Sequence, residues 1–375
     1  MKLVFLNSAH IDVGGLSGGE TIILNLFREW RKIPDVRITV LTDTMGRETW
    51  RRHGVECPEV LDVVPSCEND SVFRRYLWRP WRLIRSARVR ELMRDADAVY
   101  SASDFWQDSL PAFYFKRKYP KLRWIAGFYL FAPVPFSRES PYRGRHFFRG
   151  LFYWLMQRPV YWIVRRWADV VYVTSEPDVK RFAPKPVVVV RGGVDTSESE
   201  AYLNSRNVIP VEQRKYDAVF MGRLHYQKGA LLLVDIWREV VRRRPGAKLA
   251  VIGHGPLEPE MRAKIREYGL EGNIQMLGFL SGQPKYEGFK QSKVVLHPAT
   301  YDSGGMAAAE AMAWGLPGVS FDLEALRTYY PRGMVRVSAV GDVKGFADEV
   351  LRLLQDEAHY AHQRAEALAL GRESW

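Results

Sequence analysis

Two carboxylates, Asp302 and Glu310, lie in the stretch from Val294 to Asp322, which reads VVLHPATYDSGGMAAAEAMAWGLPGVSFD. Its pattern predicts a strand, a polar loop, an alanine-rich helix and a second strand, with Asp302 in the loop and Glu310 about one turn inside the helix. A helix N-terminus carries roughly half a positive charge and suits a phosphate, whereas carboxylates accept hydrogen bonds from hydroxyls. The stretch therefore predicts a site for a ligand with both groups, such as a nucleotide-sugar.

Backbone N–H groups at the start of the same helix form the second part of the predicted site. They belong to Ser303, Gly304, Gly305 and Met306. The alanines and the glycine pair offer the two carboxylates few other partners, so we expect both to remain available to a ligand. The alternative is a loop cap and a solvated helix face.

A second strand-to-helix turn, with the pattern GRLxxxKG, supplies two cations. Gly222 ends the predicted strand, Arg223 follows it, and Lys228 opens the helix. An Arg and a Lys at such a turn can neutralise a diphosphate leaving group. Each cation would accelerate the reaction by about two to three powers of ten. The alternative is a pair of surface charges at a helix start.

Two glycine pairs follow other predicted strands. Gly253 and Gly255 permit close approach by a nucleotide base or ribose, or else form a tight turn before a helix. Gly18 and Gly19 let an acceptor or phosphate approach the first helix, or else mark an ordinary helix start.

Strands and helices alternate along the whole chain in two series. The first begins with strand Leu3–Asn7; the second begins with strand Asp217–Met221 and ends with one long helix, Val343–Ala369. This alternation predicts parallel sheets wrapped by helices, of Rossmann type, whose ligands bind at the carboxyl ends of the strands. Two such halves would face each other across a cleft.

The size and composition indicate a globular chain with two domains. A chain of 375 residues exceeds a typical single core, and 47% hydrophobic with 26% charged residues is an ordinary globular composition. The predicted domains are residues 1–200 and 201–375, joined by a polar linker at 191–215. Cys57 and Cys67 are expected to be thiols rather than a disulfide, and no clustered metal ligands are present in the sequence.

The first residues, MKLVFLNSAHID, contain a short apolar core without a cleavage site and predict a first strand, not a signal peptide. No apolar run reaches the length of about 18 residues that a membrane-spanning helix needs.

The net charge of +12 is concentrated in two segments of the N-terminal half. Residues 73–94 contain eight Arg and one Glu, and residues 140–168 contain six Arg, no acid and nine aromatic residues. Three interpretations are open: packing between domains, nucleic-acid binding, and interfacial helices on anionic lipid. We favour the lipid surface because no nucleic-acid-binding module accompanies the arginines, and we predict no nucleic-acid partner. The predicted membrane-contacting residues are Arg75, Arg79, Arg82, Trp81, Phe148, Trp154 and Trp162.

Several motifs in this order resemble one known family. GRLxxxKG, the GxGP-like turn at residues 253–256, NIQMLGFL and the final DSGGMAAAEAMAWGLPGVSFD are similar to those of GT4-type retaining glycosyltransferases. In the first half the resemblance rests on GGE at Gly18–Glu20 and RGGVD at Arg191–Asp195. It implies an α/β fold of the GT-B class, with two Rossmann-like domains facing across a cleft, the first for the acceptor and the second for the donor.

The resemblance also implies an activity: transfer of a hexose from a nucleotide-sugar with retained configuration, by a front-face mechanism without metal or cofactor. By matching position, Arg223 and Lys228 would hold the diphosphate. Glu310 would bind the ribose hydroxyls, and Asp302 would face the hydroxyls of the transferred sugar. The backbone at residues 304–305 would face sugar and phosphate.

The chain departs from the family pattern at three places. Asp302 stands where the family usually has Glu, and Tyr129 stands where many relatives have a His near the reacting sugar. The chain ends at Trp375, where a helix crossing back to the first domain normally begins, so we expect that helix to be shortened or the hinge to be looser.

The resulting hypothesis is a glycosyltransferase on the cytoplasmic face of a membrane, peripherally bound to anionic lipid, with a lipid-linked or membrane-associated glycan acceptor. One alternative is a nucleotide-sugar epimerase of the same fold. The other is a degenerate transferase that acts as a membrane scaffold.

Overall fold

The computed structural model describes residues 1–9, 18–55, 60–64, 71–137, 140, 142, 144–337 and 339–374. The chain divides into two compact units, Met1–Gly192 and Gly193–Trp375. The division falls inside the RGGVD segment.

A parallel sheet forms the centre of the first unit. Within the described residues its strands are β1 (Lys2–Asn7), β2 (Arg37–Asp43), β3 (Val60–Val64), β4 (Ala98–Ser101), β5 (Arg123–Gly127), β6 (Val170–Val173) and β7 (Val187–Val189). Their order in space is β3-β2-β1-β4-β5-β6-β7, and every pairing is parallel. This is the strand order of a doubly wound Rossmann sheet.

Helices cover both faces of this sheet. They are α1 (Gly18–Trp30), α2 (Thr44–Arg52), α3 (Arg79–Arg85), α4 (Ala87–Asp95), α5 (Trp106–Lys118), α6 (Phe147–Trp167) and α7 (Glu176–Phe182). Side chains alternate along β1, so that Val4 and Leu6 join one hydrophobic cluster while Leu3 and Phe5 join another. Because both faces are buried, the strand is a continuous apolar run.

The second unit repeats the plan. Its strands in the described residues are β8 (Tyr216–Met221), β9 (Leu249–Ile252), β10 (Ile274–Gly278), β11 (Ser292–His297), β12 (Gly318–Phe321) and β13 (Met334–Val337). The order is β10-β9-β8-β11-β12-β13, again with parallel pairings. The helices are α8 (Ser197–Leu203), α9 (Ala230–Arg243), α10 (Glu258–Glu267), α11 (Gly282–Lys290), α12 (Met306–Ala313), α13 (Glu324–Tyr329), α14 (Val343–Gln355) and α15 (Glu357–Ser374).

Several elements differ from the sequence prediction. The strand β3 and the helices α11 and α13 were not predicted, and the predicted linker contains α8. The expected single helix at residues 343–369 is two helices, α14 and α15. They separate at Asp356, whose backbone is extended and whose Oδ1 accepts a hydrogen bond from the N–H of His359 at 2.9 Å. An Asp side chain that satisfies such an N–H group starts a new helix.

Among the described residues, no helix is both long enough and apolar enough to cross a membrane. The first residues form β1, as predicted.

Candidate active site

The two turns that carry the predicted cations and carboxylates meet at one edge of the second sheet. Strands β8 and β11 are neighbours and parallel, so their carboxyl ends lie side by side. After β8 the chain forms the short 3-10 turn Tyr226–Lys228, and the N–H of Thr300 in the loop after β11 donates to the carbonyl of Gln227 at 2.9 Å. This bond holds the turn against the loop.

Gly229 makes this close packing possible. It adopts a left-handed conformation with φ of 68°, and a Cβ built on it would lie 1.9 Å from the carbonyl oxygen of Pro298. Any side chain here would separate the turn from the loop. Lys228 is the last residue of the turn, and α9 begins two residues later, at Ala230.

Asp302 is the centre of the charged contacts at this edge. Its Oδ2 lies 2.6 Å from Nζ of Lys228 and 3.0 Å from Nε2 of His297, and its Oδ1 accepts from the N–H of Ser303 at 2.8 Å. The Asp302 side chain is 6% exposed. Burial by itself would raise the pKa of this carboxyl. The charge of Lys228 and the hydrogen bond and charge of His297 outweigh burial and hold the pKa well below its usual range.

Glu310 has a cation of its own. Its Oε2 lies 2.5 Å from Nζ of Lys285 on α11, and both side chains are partly exposed. The expectation that both carboxylates remain available to a ligand was wrong, because each is paired with a lysine from a distant part of the chain. The Ser303 N–H is likewise engaged by Asp302.

The loop of residues 303–305 before α12, the glycine loop, is hydrogen-bonded by a buried tyrosine. The hydroxyl of Tyr330 donates to the carbonyls of Gly304 and Gly305, at 2.9 and 2.8 Å. Gly305 directly precedes α12 and Met306 is its first residue, so the helix N-terminus lies at the loop beside Asp302. Glu310 lies about one turn further along, as predicted.

The turn at residues 253–255 packs against the GRL turn. A Cβ on Gly253 would lie 2.0 Å from the carbonyl oxygen of Gly222, and one on Gly255 would lie 2.6 Å from that of Leu224. This loop-to-loop packing requires a glycine at both positions, for which the sequence left a tight turn and a nucleotide contact open. Arg223, which is exposed, follows Gly222 on the same loop after β8.

In the first unit, Gly18 and Gly19 are the first residues of α1. Tyr129 is buried in the hydrophobic cluster around Phe5, and its hydroxyl hydrogen-bonds that of Tyr100. It occupies the core in place of the histidine expected from the family pattern.

A polar cluster at the carboxyl ends of β1 and β4 went unpredicted. Asp108 accepts hydrogen bonds from the N–H of Ser8 at 2.7 Å and from the hydroxyl of Ser103 at 2.6 Å. Nearby, Gln157 donates to Asp104 at 2.7 Å. Burial raises the pKa of Asp108 to about 7 and that of Asp104 to about 6, although these hydrogen bonds oppose the shift.

The two basic segments are adjacent in the first unit, where the rings of Tyr76 and Phe152 meet edge to face at 6.0 Å. One of the predicted lipid contacts is wrong. Arg79 is 2% exposed and its Nη1 lies 3.0 Å from Oδ2 of the fully buried Asp43. A buried, paired guanidinium does not reach a lipid phosphate.

Most of the other residues predicted to contact lipid are exposed to solvent. Trp81 is 52% exposed, Phe148 78% and Trp162 56%, while Trp154 and Arg75 are partly buried. Arg82, exposed, lies over the ring of Trp78 at 5.6 Å. Exposed rings and exposed arginines thus occur together in both segments.

Among the residues that the structure describes, no group of three or more His, Cys, Asp or Glu side chains is arranged to hold a metal ion. Cys57 and Cys67 lie outside the described residues.

Residues 203–369 match the family model described as glycosyl transferases group 1. This segment contains the Lys228–Asp302 pair, Glu310 and the glycine loop. It is a glycosyl transferase group 1 domain. The predicted resemblance to glycosyltransferases is thereby confirmed for this segment.

Two curated relatives of this chain are named for the biosynthesis of glycans. The chain is 32% identical over 155 residues to the amylovoran biosynthesis glycosyltransferase of Erwinia amylovora, covering 41% of each protein. It is 25% identical over 218 residues to the lipopolysaccharide core biosynthesis mannosyltransferase of Rhizobium meliloti, covering 55% of this chain and 61% of the relative. Each match spans less than two thirds of the relative's own length.

A solved structure shows the fold beyond the group 1 domain. The Anabaena protein HepE, crystallised with UDP and glucose, superposes with a TM-score of 0.71 at 16% identity, covering 100% of this chain and 95% of that one. The predicted α/β fold of the GT-B class is confirmed.

Proposed function

We propose that this protein is a retaining glycosyltransferase that moves a hexose from a nucleotide-sugar to a lipid-linked or membrane-associated glycan. The observation that carries the proposal is the arrangement within the group 1 domain: Lys228, Asp302 and the N-terminus of α12 meet at the carboxyl ends of two neighbouring strands. HepE, with UDP and glucose bound, supports a nucleotide-sugar as the donor class.

In the proposed reaction, Arg223 and Lys228 stabilise the diphosphate as the bond between sugar C1 and phosphate oxygen breaks. The acceptor hydroxyl forms its bond to C1 on the same face of the sugar, and its proton passes to the departing phosphate. Glu310 binds the ribose hydroxyls. Cations placed where negative charge develops in the transition state accelerate such a step directly, so the chain's own residues would suffice without a metal.

The donor site is tested with a thermal-shift screen over UDP-, GDP- and ADP-sugars, followed by transfer and hydrolysis assays in EDTA. Lys228→Ala and Glu310→Ala should each lower kcat/KM by at least about 100-fold. Lys344→Ala, which removes an exposed lysine of α14, is the matched control and should leave the rate unchanged. Retained activity in both site variants would refute the assignment.

Incubation with donor alone separates the other activities. Formation of an epimer without acceptor would identify an epimerase. The absence of any nucleotide-dependent rise in melting temperature would favour a non-catalytic scaffold, because a saturating ligand adds several kcal/mol to the stability of the native state.

For the acceptor side, we propose peripheral contact with anionic membrane through the exposed rings and arginines of the two basic segments. Trp81, Phe148 and Trp162 present apolar area, and exposed arginines such as Arg82 and Arg158 complement lipid phosphates. Together they provide both attractions that hold an interfacial helix.

Liposome co-sedimentation tests this contact. Binding to vesicles with anionic lipid should fall at least about tenfold in the Trp81→Ser/Phe148→Ser double variant, because two inserted rings are lost. Ile33→Ser, which removes an exposed apolar residue outside both segments, is the control. Equal binding by all three proteins would contradict the proposed surface.

A further inference from the structure

The Oδ2 oxygen of Asp302 has both of its acceptor positions filled in this structure. This oxygen already carries Lys228 and His297, and a carboxylate oxygen accepts about two hydrogen bonds. The other oxygen, Oδ1, accepts one hydrogen bond, from the N–H of Ser303. A hydroxyl of the donor sugar can therefore reach Oδ2 only after one partner leaves.

The two partners of Oδ2 differ in the conformational freedom of their side chains. His297 is the last residue of β11, 3% exposed, and its ring is fixed by the sheet. Lys228 has a flexible stem and is 22% exposed. Lysine is therefore the partner that moves, and histidine is the one that stays.

The proposed reaction requires such a movement. The ammonium of Lys228 is neutralised by Asp302 in this structure and serves a diphosphate fully only when it turns away. Its departure alone would deprive a buried carboxylate of the lysine cation, which is costly. A sugar hydroxyl donating to the vacated position on Oδ2, while His297 keeps its hydrogen bond, removes much of that cost.

We propose that Lys228, Asp302 and His297 form a partner exchange that couples recognition of the diphosphate to recognition of the transferred sugar. Lys228 passes from Asp302 to the diphosphate, and a sugar hydroxyl takes its position on Asp302. His297 is a positioning residue that holds the carboxylate throughout. This inference rests on the proposed function and assigns a role to His297, which the sequence analysis did not include in the site.

The exchange makes an unusual demand on ligands. When a nucleoside diphosphate or inorganic pyrophosphate binds Lys228, Asp302 loses the lysine and gains no new partner. When a nucleotide-sugar binds, a hydroxyl of its sugar takes the position of the lysine on Asp302. Neutralising Asp302 should therefore strengthen the binding of pyrophosphate and weaken the use of the sugar donor. A residue that merely helped the fold would weaken both.

The first experiment measures calorimetric affinities of wild type, Asp302→Asn, Lys228→Met and the double variant for inorganic pyrophosphate, UDP, GDP and ADP. Asp302→Asn should bind pyrophosphate and the preferred nucleotide at least about fivefold more tightly than wild type, and the gain should vanish when Lys228 is also replaced. In the same variant, kcat/KM for the nucleotide-sugar should fall at least about tenfold.

The outcomes separate the exchange from the proposed function. Nucleotide binding by wild type without any gain in Asp302→Asn overturns the exchange alone. A gain for pyrophosphate together with no turnover of any nucleotide-sugar supports the exchange and overturns the transferase. Failure of every variant to bind pyrophosphate and nucleotides overturns both.

The second experiment isolates His297. His297→Leu should lower kcat for the nucleotide-sugar at least about tenfold and should weaken pyrophosphate binding as well, because the histidine is the partner that remains on Oδ2 whenever Lys228 has left. His297→Gln keeps an N–H donor and should recover most of that loss. Wild-type kcat in His297→Leu, or a Gln variant as poor as a Leu variant of equal melting temperature, overturns the positioning role.

Discussion

Burial decides what each arginine of the first basic segment binds. Arg79 and Arg82 are three residues apart on the same short helix, yet Arg79 is paired with buried Asp43 and Arg82 is at the surface. We predict that Arg79→Met lowers the free energy of unfolding of the first unit by about 3–5 kcal/mol, because the Asp43 carboxylate loses its cation. Arg82→Ser should change it by less than about 0.5 kcal/mol. Urea unfolding of both variants checks this, and equal stabilities would contradict the buried pair.

Lys285 is the second single residue with a testable role. Its ammonium holds the Glu310 carboxylate, which the proposed function assigns to the ribose. Lys285→Ala should raise KM for the nucleotide-sugar about three- to tenfold and change kcat less, since ground-state binding is lost. The control is Lys32→Ala, which removes an exposed ion pair with Glu29 of similar length, 2.6 Å. A KM equal to that of the control would separate Lys285 from the site.

At the scale of elements, packing between loops positions the site. The turn after β8 fits against the loop after β11 only because residue 229 has no side chain. Gly229→Ala should therefore displace Lys228 and lower kcat/KM at least about 100-fold, as a shift of about 1 Å can do. Gly272→Ala, where nothing lies within 4 Å of the added Cβ, is the control. Unchanged kcat/KM in Gly229→Ala would show that the turn tolerates separation.

Tertiary packing also explains an element that the sequence did not reveal. Helix α11 reads GQPKYEGFK and has little helical periodicity. It forms because Phe289 is fully buried and Gly288 lies close against Ile252 of β9. Contacts of this kind override weak local preference.

At the scale of the whole molecule, each unit contains a buried carboxyl whose pKa is shifted, and the two shifts have opposite sign. Asp108 in the first unit has a native pKa raised from 3.8 to about 7 by burial. Its contribution to stability is present below about pH 4 and is lost as pH rises toward 7. Asp302 in the second unit has a lowered pKa, despite burial, through Lys228 and His297. Its contribution is present above about pH 4 and is lost on acidification.

Asp108→Asn tests the first half of this contrast. The amide is neutral at every pH, so the variant should exceed wild type in stability at pH 8 by on the order of 2–4 kcal/mol and match it near pH 4. Hydrogen exchange of the β1 and α5 amides reports on the first unit, with the β8 amides as the internal control. A difference independent of pH would contradict the raised pKa.

The sequence by itself determined most of the alternating strands and helices, the parallel sheets, the loops that carry Lys228 and Asp302, and the helix that carries Glu310. These follow from local periodicity, and from the rule that the carboxyl ends of parallel strands share one edge. Only the tertiary structure decided which charges meet. Lys228 and Asp302 are 74 residues apart in the chain, and Lys285 and Glu310 are 25 apart. Such distant contacts decide that Arg79 is buried and that Asp302 is paired with Lys228. The local sequence pattern does not encode them, and it did not reveal the role proposed for His297.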